Sequence, residues 1–300
     1  MDTHLEEIGK RIYELRKHLN MTQKELCEGI CTQAYISKIE NGSLAIAADI
    51  LFKIADRLGV DINYFYDSTE IERMDYLMEV EIQARELVNK KDFHSLNELI
   101  KREENTPLMH NKKFKQFILW QKGLCERYLN KDINKAVELM NQALAYSNTT
   151  NKAYSERELE ILLNIAHLYV DLGNYKKAIK QYEHIRTILR KIPYIRNNDI
   201  KIGLYYNLSR VHLFLDNLNE AKKYAKLGIN ICIKTQSLFG LGHLYFILGR
   251  IYEDMEAFTL ALENFRKAKF IFEITENDNL STKTLYNIRD VENSLNKETV

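Results

Sequence analysis

Two prolines and eleven glycines are few for 300 residues. Sheet-rich folds turn often, and tight turns draw on Gly, Pro and Asn-Gly pairs. Their scarcity points to helices joined by short loops. The sequence also lacks any run of about 18 apolar residues, so no transmembrane helix is expected. Its start, MDTHLEEIGKR, has no apolar core of the kind a signal peptide needs, and a cytoplasmic protein is the expectation. The four cysteines, Cys27, Cys31, Cys125 and Cys232, show no disulfide-framework spacing. Cys27 reads as a small buried apolar residue; Cys27 and Cys31 are also four apart, a helical spacing that leaves a redox or metal role as the alternative. Ser-His-Asp, His-Glu-x-x-His, P-loop and paired-cysteine motifs are all missing, so neither an enzyme nor a cofactor is expected. The formal net charge of +1 gives no global argument for nucleic acid or membrane. What is present is length and a hydrophobic content of 45%, enough for a sizeable core in more than one domain.

The first 67 residues read as five short helices. In LEEIGKRIYELRKHL (residues 5–19), Leu5, Ile8, Ile12, Leu15 and Leu19 recur at helical spacing with charge on the other face. Thr22 with Glu25 three residues on is a capping box, opening a second helix, QKELCEGI, with Leu26, Cys27 and Ile30 inward. Thr32 is the next N-cap, before QAYISKIEN and the stop residue Gly42. A fourth helix spans residues 47–58 and ends at Gly59, and Asp61 caps a last one, INYFYD. Two helices joined by a minimal turn are the mechanical requirement for a helix-turn-helix. The third helix then enters the major groove by its N-terminal residues. Its outward residues are Gln33, Ala34, Tyr35, Ser37 and Lys38, with Thr32 at the cap. Gln pairs bidentately with adenine, and an Ala methyl meets the thymine methyl. Ser37 and Lys38 suit phosphate, as does Gln23 at the start of the second helix. Residues 1–68 hold eight Lys/Arg against eleven Asp/Glu, yet Lys10, Arg11, Arg16, Lys17, Lys24 and Lys38 concentrate in the first three helices. An uneven surface and modest affinity per monomer follow, which makes dimerisation necessary.

Beyond a long helix at residues 69–89, the pattern becomes a repeat. One copy is anchored by Ile165-Ala166, Tyr169, Gly173, Tyr175, Ala178 and Tyr182. A second has Leu208-Ser209, His212, Leu218, Ala221 and Ala225; a third has Leu248-Gly249, Tyr252, Phe258, Ala261, Phe265 and Ala268. Weaker copies run through Trp120, Ala136, Met140 and Ala143, and through Ala84, Leu87, Phe93 and Leu96. Equivalent small-residue positions fall at 84, 124, 166, 209 and 249, with spacings of 40, 42, 43 and 40, longer than the tetratricopeptide standard of about 34. Residues 281–296 read as a helix that caps the last repeat. Stacked helical hairpins have a concave face lined by the first helix of each repeat. That face should present Glu160, Leu163, Asn164 and His167; Tyr206, Asn207 and Arg210; and His243, Phe246 and Arg250. Asn bonds peptide N–H and C=O groups, aromatics make pockets, and Arg clamps a carboxylate. An ordinary solvated scaffold face is the alternative.

The string TQKELCEGICTQAYISKIENG resembles the helix-turn-helix of the lambda-repressor/XRE family at Thr22, Gln23, Leu26, Cys27, Ser37, Ile39, Glu40 and Gly42. It departs in being one residue shorter between Leu26 and Ser37, with Ile30-Cys31 replacing the usual Gly-Val of the turn. With the repeats, and with the phrases INYFYD and FKQFILWQ, the whole chain resembles the PlcR-like regulators of Gram-positive bacteria, whose wider group takes in Rgg, NprR, PrgX and Rap proteins. The resemblance implies an all-α fold: a lambda-repressor-like domain at 1–67, a linker helix at 68–82, and five degenerate tetratricopeptide repeats with a capping helix at 83–300. It implies a homodimeric regulator, an activator by expectation, that binds double-stranded DNA at a palindrome and a short signalling peptide in the repeat groove. By the same resemblance Lys90 and Lys91 would receive an acidic peptide group, Asn164 and Asn207 sit at groove-asparagine positions, and His243 stands where a PlcR-like protein has Gln. The competing reading is a peptide-independent repressor that uses its repeats for dimerisation or protein binding.

Overall fold

A computed structural model describes residues 3–65, 71–146, 154–192 and 195–298. Every regular element among them is helical, and no helix is long and apolar enough to cross a membrane. The chain divides into two compact units, Met1–Lys90 and Lys91–Val300.

The first unit contains α1 (Thr3–His18), α2 (Gln23–Cys27), α3 (Gln33–Glu40), α4 (Ala48–Leu58), a 3-10 turn (Ile62–Phe65) and α5 (Ile71–Asn89). Ile8, Ile12, Leu26, Ile36, Ile39, Leu51, Ile54 and Phe65 form one buried cluster, with Cys27 packed among them as a small apolar residue. The capping box forms as the sequence requires: the Glu25 amide donates to Thr22 Oγ1 at 3.2 Å, and the Thr22 amide donates to Glu25 Oε2 at 2.6 Å. The Thr22 amide, and then the Thr22 hydroxyl at 2.7 Å, donate to the Glu25 carboxylate and hold it below its ordinary range. Three expectations change. α1 stops at His18, so Leu19 lies beyond the helix and is exposed, while Leu15 is half-buried. α2 ends at Cys27, because Gly29 takes a left-handed φ of 69° that ends the helical path; Ile30 is then only half-buried in the turn. INYFYD is a 3-10 turn over Ile62–Phe65, and the rest of that string lies outside the described residues, as does the burial of Leu5.

The second unit is built of α6 (Phe93–Glu103), α7 (Lys112–Cys125), α8 (Ile133–Ala145), α9 (Glu156–Asp171), α10 (Tyr175–Lys191), α11 (Asp199–Phe214), α12 (Leu218–Thr235), α13 (Leu241–Asp254), α14 (Phe258–Ile274) and α15 (Asp278–Glu298). α7 runs on into a π-turn, Glu126–Asn130. Helices pair as α7 with α8, α9 with α10, α11 with α12 and α13 with α14, and α15 covers the last pair. One turn recurs in the three clear hairpins. Gly173, Asp216 and Glu256 adopt left-handed φ of 70°, 57° and 59°. The following amides, of Asn174, Asn217 and Ala257, then reach back five residues to the carbonyls of Tyr169, His212 and Tyr252 at 2.8–2.9 Å. This is a Schellman closure that satisfies orphan carbonyls at a helix end.

Within each pair the helices touch where one carries little side chain. Ala166 is fully buried. The Ser209 hydroxyl donates to the Ala221 carbonyl of the paired helix at 2.8 Å. A Cβ on Gly249 would stand 2.7 Å from the Phe265 ring. In the earlier repeat the close approach is at Gly123, where a Cβ would meet Met140 at 2.9 Å; the expected position 124 is a buried leucine. The weak sequence signal of that copy misplaced the contact by one residue. Gly249→Ala tests the packing. Helix propensity alone favours Ala by about 1 kcal/mol, whereas overpacking costs about 1–3 kcal/mol. Denaturant unfolding followed by circular dichroism should show a net loss of stability; a gain would contradict the close approach.

Candidate functional site

Except for Lys90, the residues singled out in the sequence for DNA lie in the first unit and those for peptide in the second. In the first, Thr32 caps α3 by accepting the Tyr35 amide at 3.2 Å. Thr32, Gln33, Ala34 and Lys38 are exposed, and Ser37 is half-exposed. Tyr35 is half-buried; its hydroxyl donates to the Ala45 carbonyl at 3.5 Å and accepts from the Ala47 amide at 3.3 Å, so it fastens the loop after α3. The presented edge is therefore the α3 N-terminus, a polar strip of the chemistry that reads base edges and phosphates.

A buried ion pair holds that edge in place. Arg16 Nε and Nη2 donate to the two oxygens of Glu40 at 2.6 and 2.7 Å, and Arg16 Nη1 donates to the Met21 carbonyl at 2.8 Å. The two side chains are 5% and 2% exposed, and the hydrogen bond to Glu40 raises the Arg16 pKa above its ordinary value. Gln23 Nε2 donates to the same Glu40 at 2.8 Å. Arg16 is thus removed from the count of cations on the surface, and the side-chain amide donor of Gln23, Nε2, is committed within the protein. Arg57, from α4, donates to the carbonyls of Glu25, Leu26 and Glu28 and closes the other end of α2. Gly9 completes the frame, since a Cβ there would collide with the Ile39 carbonyl.

In the second unit, α9 touches α11 and α11 touches α13, so the first helices of successive hairpins lie side by side. Asn164, His167, Tyr206, Asn207, Arg210, His243, Phe246 and Arg250 are all half-buried. Asn164 Nδ2 donates to the Glu160 carbonyl at 2.8 Å and Asn207 Nδ2 to the Gly203 carbonyl at 2.9 Å. Each amide is therefore oriented by its own helix, with its carbonyl oxygen turned away from that bond. Tyr206 and Phe272 meet the His243 ring edge-on at 5.7 and 5.3 Å. Burial lowers the His243 pKa, and the charge of Lys91 lowers it further; Lys91 is exposed in a left-handed turn with φ 58°. Phe246 packs towards Phe265 and the terminal helix core, and Arg250 pairs with Glu253 on its own helix at 3.4 Å. Lys90 is exposed at the end of the first unit.

A charged cluster occupies the middle of this face. Arg127 Nε bonds Asp171 Oδ2 at 2.8 Å, and Arg210 Nη1 lies 2.9 Å from His167 Nε2. Burial, then the two guanidiniums, depress the His167 pKa to about 3. The imidazole is therefore neutral at ordinary pH, and the 4.0 Å approach of Asp171 is not an ion pair. Both ring nitrogens face guanidiniums, Nε2 that of Arg210 at 2.9 Å and Nδ1 that of Arg127 at 3.4 Å; a neutral imidazole accepts from one of them, and the shorter contact is to Arg210. Arg127 and Asp171 were not singled out in the sequence: the π-turn that carries Arg127 shifts the register that 3.6-residue counting follows.

Comparison with known proteins follows these two surfaces. A helix-turn-helix family matches residues 12–65, and the RNPP family C-terminal domain matches residues 81–294. The second match spans most of the sequence, and the chain belongs to the RNPP family. Among solved structures, Bacillus thuringiensis PlcR in complex with the peptide PapR7 and DNA is similar with a TM-score of 0.81 at 24% identity, over 93% of this chain and 99% of that one. The Streptococcus dysgalactiae SHP pheromone receptor Rgg2 has a TM-score of 0.62 at 15% identity, over 95% and 99%. Response regulator aspartate phosphatase E of Bacillus subtilis (strain 168) is 22% identical over 280 residues, 84% of this chain and 73% of that protein. At these identities the likeness speaks to fold.

Glu40→Gln tests the brace. It leaves the Arg16 charge buried without its partner, a change that costs about 3–5 kcal/mol. Far-UV circular dichroism of the full chain should gain an early transition while emission from Trp120, which lies in the second unit, keeps its midpoint. The double variant Arg16→Met/Glu40→Gln should recover part of the loss. An unchanged profile for the single variant would show that the pair does not hold the unit.

Proposed function

We propose that this chain is a cytoplasmic transcription regulator whose homodimer binds a palindromic DNA site, with affinity set by a short signalling peptide held along the repeat face. In this reading residues 1–67 bind DNA, 68–82 link, and 83–300 carry the peptide groove and the dimer contact. The observation that carries it is the union, in one chain, of a helix-turn-helix presenting the polar N-terminus of α3 with an RNPP C-terminal domain whose first helices display oriented amides, aromatics and arginines. The similar PlcR structure holds both a peptide and DNA, which supports the pairing of the two ligands. On the DNA side, Gln33 and Ala34 read bases, while Thr32, Ser37, Lys38 and the start of α2 at Gln23 hold phosphates, with Tyr35 fixing the loop beside them. On the peptide side, Asn164 and Asn207 meet peptide backbone, and Lys90, Lys91, His167, Tyr206, Arg210, His243, Phe246 and Arg250 receive side chains and charge.

Coupling is a matter of linkage. A peptide shifts DNA affinity only by binding more tightly to the arrangement that fits two half-sites, and such couplings run to about 5–150-fold. Pull-down of genomic fragments followed by sequencing, with and without culture supernatant containing secreted peptides, tests the proposal. A palindrome bound at least about fivefold more tightly with supernatant, and lost in Gln33→Ala/Lys38→Ala, is the expected result. Tight binding indifferent to supernatant would favour the peptide-independent repressor. No sequence-specific binding in either state would overturn the regulator reading.

A further inference from the structure

Three successive hairpins each place a charged or titratable group at one point of the repeat face: Arg127 from the π-turn after α7, His167 and Asp171 from α9, and Arg210 from α11. Their charges do not balance. Asp171 answers Arg127 at 2.8 Å, His167 is neutral, and no carboxylate among the described residues pairs with Arg210. One guanidinium is left over in a half-buried setting, where an opposite charge is felt more strongly than in water. A second observation points the same way. The Tyr182 hydroxyl belongs to a fully buried side chain and has no hydrogen-bond partner. Burial raises its pKa above the ordinary value while the charges of Arg210 and Arg127 act to lower it, so the hydroxyl lies within electrostatic range of this cluster. A guanidinium offers five N–H donors. Arg210 uses one on His167, and its Cζ lies 5.2 Å from the centroid of the Phe214 ring, a cation–π contact that steadies the fork.

We propose that this cluster is a carboxylate anchor: Arg210, steadied by His167 and flanked by the Arg127–Asp171 pair, takes an acidic group of the bound peptide. The inference rests on the peptide-groove reading above and names the ligand chemistry that the groove requires. The carboxylate comes from an Asp or Glu side chain or from the peptide C-terminus. In either case it accepts charge-assisted hydrogen bonds from the free N–H groups of Arg210 and neutralises the excess cation. Because His167 stays neutral down to about pH 3, it acts as a fixed acceptor that aims Arg210, and it adds no charge of its own.

The probe is a pair of random heptapeptide libraries, one with free C-terminal acids and one with C-terminal amides, captured on the full-length chain and identified by mass spectrometry. The wild-type chain should enrich Asp or Glu at one position in both libraries if the anchor takes a side chain, or prefer the free-acid library as a whole if it takes the C-terminus. Arg210→Gln should reduce that acidic enrichment about tenfold or more while apolar preferences at other positions persist. Arg210→Lys, which keeps the cation without the fork, should fall between them and guards against a folding defect in the glutamine variant. Peptides captured by the wild type with no acidic or free-acid preference would overturn the anchor and leave the groove reading standing. Capture of no peptide from either library would overturn both.

Discussion

At Gly123, Ala166, Ser209 and Gly249 the first helix of a hairpin presents little or no side chain, and its partner lies directly against it. Protein interiors are close-packed, so helices approach this nearly only where bulk is missing. The rest of the second unit depends on that spacing. It sets which side chains of α9, α11 and α13 fall inward to the core, and therefore which ones remain on the shared face. Asn164, His167, Asn207 and Arg210 are on that face because Ile165, Ala166, Leu208 and Ser209 are committed to the other side. The same Schellman hydrogen bond closes the first helix of each of the three clear hairpins.

The first unit solves a different problem, that of presenting a short helix rigidly. α3 has eight residues and could not hold its orientation by propensity. It is fixed instead at both ends: Thr32 caps its start, and Glu40 at its close is clamped by Arg16 from α1 and Gln23 from α2. A buried pair of this kind contributes geometry more than net stability, since desolvation offsets much of its attraction. Geometry is what a reader of base edges needs.

The parts of this architecture governed by local interactions were legible in the sequence. The caps at Thr22 and Thr32, the stops at Gly42 and Gly59, and the anchors from Ala166 to Ala268 depend on residues a few positions apart. What was not legible depended on partners far along the chain or on irregular backbone. Arg16 reads as a surface cation because Glu40, its partner, is 24 residues away. Arg127 escapes notice because a π-turn rotates it out of helical register. The end of α2 was set too late because Gly29, with its left-handed φ, reads as one more helical residue. The charged cluster is invisible for the same reason, since its members come from three hairpins about 40 residues apart.

The central claim is that groove occupancy and DNA affinity are linked, and linkage is reciprocal. The most direct measurement is calorimetric titration of the captured peptide into the full-length chain, alone and saturated with its operator duplex. The account predicts tighter peptide binding with DNA present, by the same factor by which peptide tightens DNA binding. Equal peptide affinity in the two titrations would contradict it.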